Sequence, residues 1–126
     1  MSKKYVTITG ASSGIGKAAA KLFAKKGKNL ILIARRKNLM ENLKNEILSD
    51  YPDIDIVIKD FDLTDTEKIQ DLYSSLKEYN IEILINNAGF GLYQNVNEHN
   101  IEKTRNMLKL NIEALTLLSI LYVKDY

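Results

Sequence analysis

Thr9-Gly10-Ala11-Ser12-Ser13-Gly14-Ile15-Gly16 is the stretch that decides the fold of this 126-residue chain. It follows a short β-branched run, Tyr5–Thr9, and from Ile15 onward apolar residues recur at helical spacing. The order strand, glycine turn, helix predicts a loop whose backbone can approach a phosphate at a helix N-terminus. The spacing is Gly-x-x-x-Gly-x-Gly, which differs from the ordinary Gly-x-Gly-x-x-Gly dinucleotide fingerprint.

Two other motifs overlap this loop. A P-loop needs four residues between its glycines and then Lys-Ser/Thr, whereas five residues separate Gly10 from Gly16 and Lys17 is followed by alanine. The stretch Gly10–Gly14 also matches the Gly-x-Ser-x-Gly nucleophile elbow. That hydrolase alternative requires a downstream acid and histidine, and the only histidine is His99, in a predicted loop.

The rest of the chain repeats the strand-then-helix order. Apolar runs predict strands at Tyr5–Thr9, Leu30–Ala34, Ile54–Ile58 and Ile81–Ile85. Helical spacing predicts a first helix closed by Gly27, a second that stops near Pro52, a third from Thr64 with Glu67 in capping-box spacing, and a long fourth from Ile101. The alternation predicts an α/β fold with a doubly wound, Rossmann-like parallel sheet of about four βα units.

The end of the second predicted strand indicates the cofactor. A site for NAD usually places an acid there, whereas a site for NADP offers arginine to the 2′-phosphate. Here the run continues as Ala34-Arg35-Arg36-Lys37, without an acid. Because guanidinium binds phosphate in a bidentate manner and a carboxylate would repel it, this pattern predicts NADP. The alternative is a pair of solvated arginines that begin a helix.

Composition limits the other classes of function. With 45% hydrophobic residues and 27% charged residues, we expect one domain, residues 1–126. The net charge of +2 requires neither nucleic acid nor a membrane as partner, although every charged residue before Glu41 is basic. No cysteine is present and no His/Cys cluster exists, so we expect no metal site of that kind. No apolar run is long enough to span a bilayer, and a cytoplasmic protein is the expectation.

Four ordered motifs resemble the short-chain dehydrogenase/reductase family. Thr9–Gly16 matches its Thr-Gly-x-x-x-Gly-x-Gly motif at every fixed position, and Asp62-Leu63 resembles its adenine-contacting pair. Asn86-Asn87-Ala88-Gly89 matches its Asn-Asn-Ala-Gly motif, and Asn111 stands where the family keeps an asparagine in its fourth helix. The four matches cover essentially the whole chain in the family's order.

The resemblance implies a cofactor laid across the carboxyl ends of the strands. It assigns Gly10, Ser12, Ser13, Gly14, Ile15 and Gly16 to the phosphates, Arg35 with Arg36 to the ribose phosphate, Asp62 and Leu63 to adenine, and Asn87, Ala88 and Gly89 to the adjoining ribose. For Asn86 we favour a role as a strand-end cap. Asn111 is the one member of the family's catalytic tetrad that the chain carries.

The family's catalytic tyrosine, lysine and serine lie beyond the fourth helix. We therefore interpret the chain as the truncated cofactor-binding half of an NADP(H)-dependent oxidoreductase acting on a small-molecule carbonyl or alcohol, inactive alone. Tyr73 and Lys77 have the catalytic spacing, but they precede Asn86, and Tyr73 lies on the apolar stripe of the third helix. The alternatives are a non-catalytic nucleotide-binding module and a subunit completed by a partner chain.

An unpaired fourth strand would be a template for another chain. We therefore expect a homo-oligomer, formed through strand four or through the apolar face of the last helix. Sedimentation of dilute protein checks this expectation, and a compact monomer at every concentration would contradict it.

Overall fold

The computed structural model describes residues 3–12, 14–87 and 101–125. Its strands are β1 Lys4–Thr9, β2 Asn29–Ala34, β3 Ile56–Asp60 and β4 Asn80–Ile85. Its helices are α1 Gly14–Lys25, α2 Lys37–Asp50, α3 Ile69–Leu76, α4 Ile101–Leu108 and α5 Leu115–Asp125. A 3₁₀ turn, Thr66–Lys68, precedes α3, and a π-helical segment, Lys109–Ala114, joins α4 to α5.

The four strands form one parallel sheet in the order β3-β2-β1-β4. β1 and β2 occupy its centre, and their last five residues are all buried. The strands are buried because helices cover both faces of a parallel sheet, and apart from Thr7 and Thr9 these buried residues are hydrophobic. The predicted doubly wound α/β fold is therefore confirmed.

Alternation along β1 and β2 divides the core into two clusters, one on each face of the sheet. The cluster under α1 and α2 contains Val6, Ile8, Leu30, Leu32, Met40, Leu43 and Ile47. The cluster under α3 and α5 contains Tyr5, Ile31, Ile33, Leu72, Tyr73, Leu76 and Leu118. Since side chains occupy both faces, the edge formed by the carboxyl ends of the strands is where a ligand can approach the sheet.

The predicted C-terminal ends of the first two helices are confirmed. After α1 the backbone of Gly27 has φ 79°, and its amide donates to the carbonyl of Ala24 at 2.9 Å. The amide of Lys28 donates to the carbonyl of Phe23 at 3.0 Å, which completes a Schellman motif. α2 ends at Asp50, and Tyr51 stands directly before Pro52, which disfavours helical backbone in the preceding residue.

The predicted start of the third helix is wrong. The Thr64 hydroxyl donates to the Asp62 carboxylate at 2.7 Å, and the Thr64 amide donates to the same oxygen at 2.9 Å. These bonds form a local Asx turn in place of the capping box with Glu67. The chain then enters the 3₁₀ turn after Asp65, which makes no side-chain capping bond.

Two other predicted elements differ from those in the structure. β3 begins at Ile56 rather than Ile54, because its ladder with β2 runs from the pair Leu30 and Ile56 to the pair Ala34 and Asp60. The long fourth helix is interrupted by the π-helical segment, in which Asn111 lies. π-helical turns are rare in proteins, but those that occur are often found at functional sites.

The buried hydroxyl of Thr7, in the middle of the sheet, provides a test of stability. The Thr7 side chain is fully buried in the middle of β1, and its hydroxyl has no hydrogen-bond partner within the part of the chain that the structure describes. Because an unsatisfied buried hydroxyl costs about 1–3 kcal/mol, Thr7→Val should leave the free energy of unfolding unchanged or raise it by about 1 kcal/mol in urea titration.

Thr9→Val is the matched control. Thr9 is equally buried, but its hydroxyl proton has two acceptors within reach, the Ile85 carbonyl at 3.5 Å and the Asn86 side-chain oxygen at 3.4 Å. We expect this variant to lose stability. A loss of more than about 1 kcal/mol in Thr7→Val would contradict the account of an unsatisfied hydroxyl.

Candidate functional site

The glycine loop joins the carboxyl end of β1 to the N-terminus of α1. Gly10 and Gly14 have φ 63° and 59°, in the left-handed region that glycine adopts without strain. The amide of Gly10 donates to the carbonyl of Ile33 at 2.9 Å, which fastens the loop to the neighbouring strand. The backbone conformation thus explains why glycines stand at these two positions.

Gly16 is required by contact rather than by dihedral angle. A Cβ atom added there would lie 2.2 Å from the carbonyl oxygen of Gly10 and 2.8 Å from the Nδ2 atom of Asn87. Real Cβ atoms essentially never come this close to other atoms. The first turn of α1 can therefore pack against the loop only if residue 16 has no side chain.

Asn87 connects the carboxyl end of β4 to this loop. Its Nδ2 atom donates to the Gly10 carbonyl at 3.3 Å, and its own amide donates to the Ile85 carbonyl at 3.1 Å. Asn86, the residue before it, bonds to side chains of β1 and α5: its Nδ2 atom donates to the Ser119 hydroxyl at 3.2 Å, and its Oδ1 atom accepts from the Thr9 hydroxyl at 3.4 Å. These contacts agree with the expected strand-end cap at Asn86.

Arg35 and Arg36 follow β2 at the same edge of the sheet, and both are exposed. Arg36 stands at the N-cap of α2 and makes no side-chain capping bond. In the described residues neither guanidinium group forms an ion pair, although ion pairs form elsewhere, for example between Lys21 and Glu46 at 2.6 Å. Both positive charges are therefore open to an anion from solvent.

The segment after β3 lies beside these arginines. The amide of Phe61 donates to the carbonyl of Ala34 at 3.1 Å, directly before Arg35. Asp62 is exposed and its carboxylate is held by Thr64. Leu63 is only 4% exposed and packs in the core cluster under α3, so a contact from Leu63 to a ligand at this edge would come from its backbone.

The remaining predicted site residues divide into two groups. Ser12 is half-buried, and Ile15 is 76% exposed at the start of α1. Ser13, Ala88, Gly89 and the side chain of Asn111 lie outside the described residues.

Tyr73 has the core role that its sequence position predicts. It is 5% exposed and packs in the cluster under α3 and α5, while the ammonium group of Lys77 lies 5.5 Å from the centre of its ring. The Tyr-x-x-x-Lys spacing here therefore belongs to a cation–π pair between a buried ring of α3 and the lysine that follows the helix.

Two contacts that assemble the site, from Asn87 to Gly10 and from Asn86 to Ser119, are not predicted by the sequence. Both join residues far apart in the chain, so no local spacing indicates them. The one available signal was Ser119 itself, a hydroxyl residue within the apolar stretch of the last helix.

A doubly wound sheet with a glycine loop after its first strand and unpaired arginines after its second defines a protein of the dinucleotide-binding class. A family model described as short chain dehydrogenase matches residues 4–125. The chain therefore belongs to the short-chain dehydrogenase/reductase family.

Individual relatives agree with this family. The chain is 35% identical over 121 residues to the very-long-chain 3-oxooacyl-coA reductase let-767 of Caenorhabditis elegans, covering 91% of this chain and 38% of the relative. A short-chain dehydrogenase from Sphingobium yanoikuyae, solved in complex with NADPH, is 34% identical with a TM-score of 0.85. The match covers 93% of this chain and 46% of that one.

A second solved structure is similar: the bulky-bulky ketone specific alcohol dehydrogenase from Comamonas testosteroni, at 34% identity and a TM-score of 0.81. That match covers 87% of this chain and 44% of the other. The chain thus spans less than half the length of these relatives. No helix in the described part of the chain is long and apolar enough to cross a membrane.

Gly16→Ala tests the packing of the loop. Because the new methyl group would meet the Gly10 carbonyl at 2.2 Å, we expect the loop to open, with a fall of about 2 kcal/mol or more in the free energy of unfolding. Gly27→Ala is the control, since it adds a methyl group in open space and incurs only the strain of φ 79°, about 1 kcal/mol. Equal losses in the two variants would contradict the close contact at Gly16.

Proposed function

We propose that the chain forms the NADP(H)-binding part of an oxidoreductase that transfers hydride between nicotinamide and a small-molecule carbonyl or alcohol. The observation that carries this proposal is the pair of exposed, unpaired arginines at the end of β2, at the same sheet edge as the glycine loop. Family membership supports the reaction class, and the NADPH complex of a similar dehydrogenase supports the cofactor.

The glycine loop fits the pyrophosphate of a dinucleotide. The absence of a side chain at Gly16 lets α1 start close against the loop, so that the helix N-terminus faces the edge where the strands end. Free amides and the positive end of the helix dipole favour an anion there. We assign Gly10, Ser12, Ser13, Gly14, Ile15 and Gly16 to this part of the cofactor.

The charges at the end of β2 fit a 2′-phosphate better than a free ribose. No acidic residue lies between β2 and α2 to accept hydrogen bonds from ribose hydroxyls, which is how NAD sites usually select their cofactor. A guanidinium group offers parallel N–H donors that match a phosphate. We therefore assign Arg35 and Arg36 to the 2′-phosphate, and NADP(H) is the proposed cofactor.

The remaining assignments follow the sheet edge. Asp62 and the Leu63 backbone, beside the end of β2, are proposed to flank adenine, and Asn87 with Ala88 and Gly89 the adjoining ribose. Asn87 would act chiefly through the loop, because its amide group is already bonded to Gly10. The bound nicotinamide would accept or supply the hydride.

Asn111, in the π-helical segment, is the proposed catalytic residue of this chain. In the family, the tyrosine, lysine and serine of the reaction lie beyond the fourth helix, and Tyr73 is a core residue here. We therefore propose that the 126 residues bind cofactor without turning over a carbonyl substrate. A binding module and a subunit completed by a partner chain give the same result for this chain in isolation, and restoration of turnover by an added chain separates them.

Arg35→Ala tests the cofactor. Loss of a charge-assisted contact worth about 1.5–3 kcal/mol should weaken NADPH binding at least tenfold, while NADH binding should change less than about threefold. Isothermal titration of both nucleotides measures the difference. Lys26→Ala is the control. It removes an exposed positive charge after the C-terminus of α1, at the end of that helix away from the glycine loop.

If Arg35→Ala weakens NADPH and NADH equally, the assignment of Arg35 to the 2′-phosphate is wrong. If the unaltered chain binds neither nucleotide at millimolar concentration, the proposal that this chain forms the cofactor site by itself fails.

A further inference from the structure

The last helix is bonded to the strand ends that carry the glycine loop. Ser119, on α5, accepts a hydrogen bond from Nδ2 of Asn86 at 3.2 Å. The Oδ1 atom of the same amide accepts from the hydroxyl of Thr9 at 3.4 Å. Since Thr9 ends β1 immediately before Gly10, one amide group joins α5, β4 and the start of the loop.

The neighbouring residue extends this connection to the loop itself. Asn87 directly follows Asn86, and its side chain holds the Gly10 carbonyl at 3.3 Å. That carbonyl is also the atom closest to a Cβ built on Gly16. A displacement of Asn86 would therefore be transmitted to the junction between Gly10, Gly16 and Asn87.

Two kinds of contact hold α5 in place, namely apolar packing and a hydrogen bond. Leu118 anchors the helix in the core cluster under α3 and α5, but apolar contacts of this kind are non-directional. The bond to Ser119 is directional, and the same Asn86 amide also bonds to Thr9, which is fully buried. Removal of the Ser119 hydroxyl would break this directional bond and so weaken the restraint on the orientation of the Asn86 amide beside Thr9.

We propose that Ser119 is a positioning residue for the cofactor loop. Its hydroxyl sets the orientation of Asn86, and through Asn87 it sets the Gly10 carbonyl and the start of α1. The cofactor part of this inference depends on the proposed function above, whereas the coupling from Ser119 to Gly10 does not.

The experiment compares Ser119→Ala with Thr116→Ala in the full 126-residue chain. Thr116 is an exposed hydroxyl residue on the same helix, so its removal controls for a change in α5 alone. In nitrogen-15 spectra recorded without cofactor, Ser119→Ala should change the chemical shifts of the Asn86 side-chain amide. It should also change those of the backbone amides of Gly10, Gly16 and Asn87. Thr116→Ala should leave these resonances in place.

NADPH titration supplies the second measurement. Ser119→Ala should weaken NADPH about threefold to tenfold, the range expected for one hydrogen bond, and Ser119→Thr should restore both the affinity and the resonances. Ile47→Val, in the core cluster under α2, controls for general destabilisation and should leave the affinity unchanged.

The outcomes separate the two proposals. Resonance changes confined to α5, or an equal loss of affinity in Ile47→Val, would overturn the positioning role of Ser119. If the unaltered chain does not bind NADPH, the proposed function fails, and the cofactor-free spectra alone decide whether Ser119 positions Gly10.

Discussion

The architecture depends on the contact between the backbone of Gly16 and the carbonyl of Gly10. This contact brings the N-terminus of α1 against the carboxyl end of β1, and a methyl group at residue 16 would occupy the same space as the Gly10 oxygen. Asn87 holds that oxygen from β4, and Ile33 holds the amide of Gly10 from β2. Three strands of the sheet therefore converge on one residue of the loop, which explains how a flexible glycine sequence obtains a fixed shape.

Hydrogen bonds join the strands at the other end of the sheet, where their amino ends lie. Tyr5 donates to the Asp55 carboxylate, and Asn29 bonds to the Lys4 carbonyl at 3.1 Å and the Asp55 amide at 2.8 Å, so β1, β2 and the start of β3 are joined. The bond to Asp55, with burial, raises the pKa of Tyr5 to about 12, which keeps the donor protonated. Because these bonds secure the amino ends of the strands, the carboxyl ends are left to loops that can serve a ligand.

The sequence predicted most of the fold because its signals are local. The apolar runs identified all four strands, and Gly27 and Pro52 marked where the first two helices end. The third helix was misplaced because Asp62 competes successfully for the Thr64 hydroxyl, and propensity alone does not decide between two turn motifs. The π-helical segment was missed because a single turn with altered bonding does not change the apolar period enough to be seen.

The site was predicted in part. The glycines, the arginines after β2 and the acid after β3 stand at the same edge of the sheet, because the carboxyl ends of parallel strands share an edge. The bonds from Asn87 to Gly10 and from Asn86 to Ser119 could not be predicted, since each pairs polar groups brought together only by the sheet order. Self-association through β4 or the last helix stays a prediction. β4 is an outer strand of the described sheet, next to β1.

We propose that this chain binds NADP(H) along the edge formed by the carboxyl ends of its strands. The most direct measurement is a nitrogen-15 chemical-shift map of the chain titrated with NADPH. We expect saturable shift changes that cluster at Gly10, Gly16, Arg35 and Asn87, with the resonances around Asn29 and Asp55, at the amino ends of the strands, unchanged. Saturable changes confined to those amino ends, or no change at millimolar NADPH, would contradict the proposal.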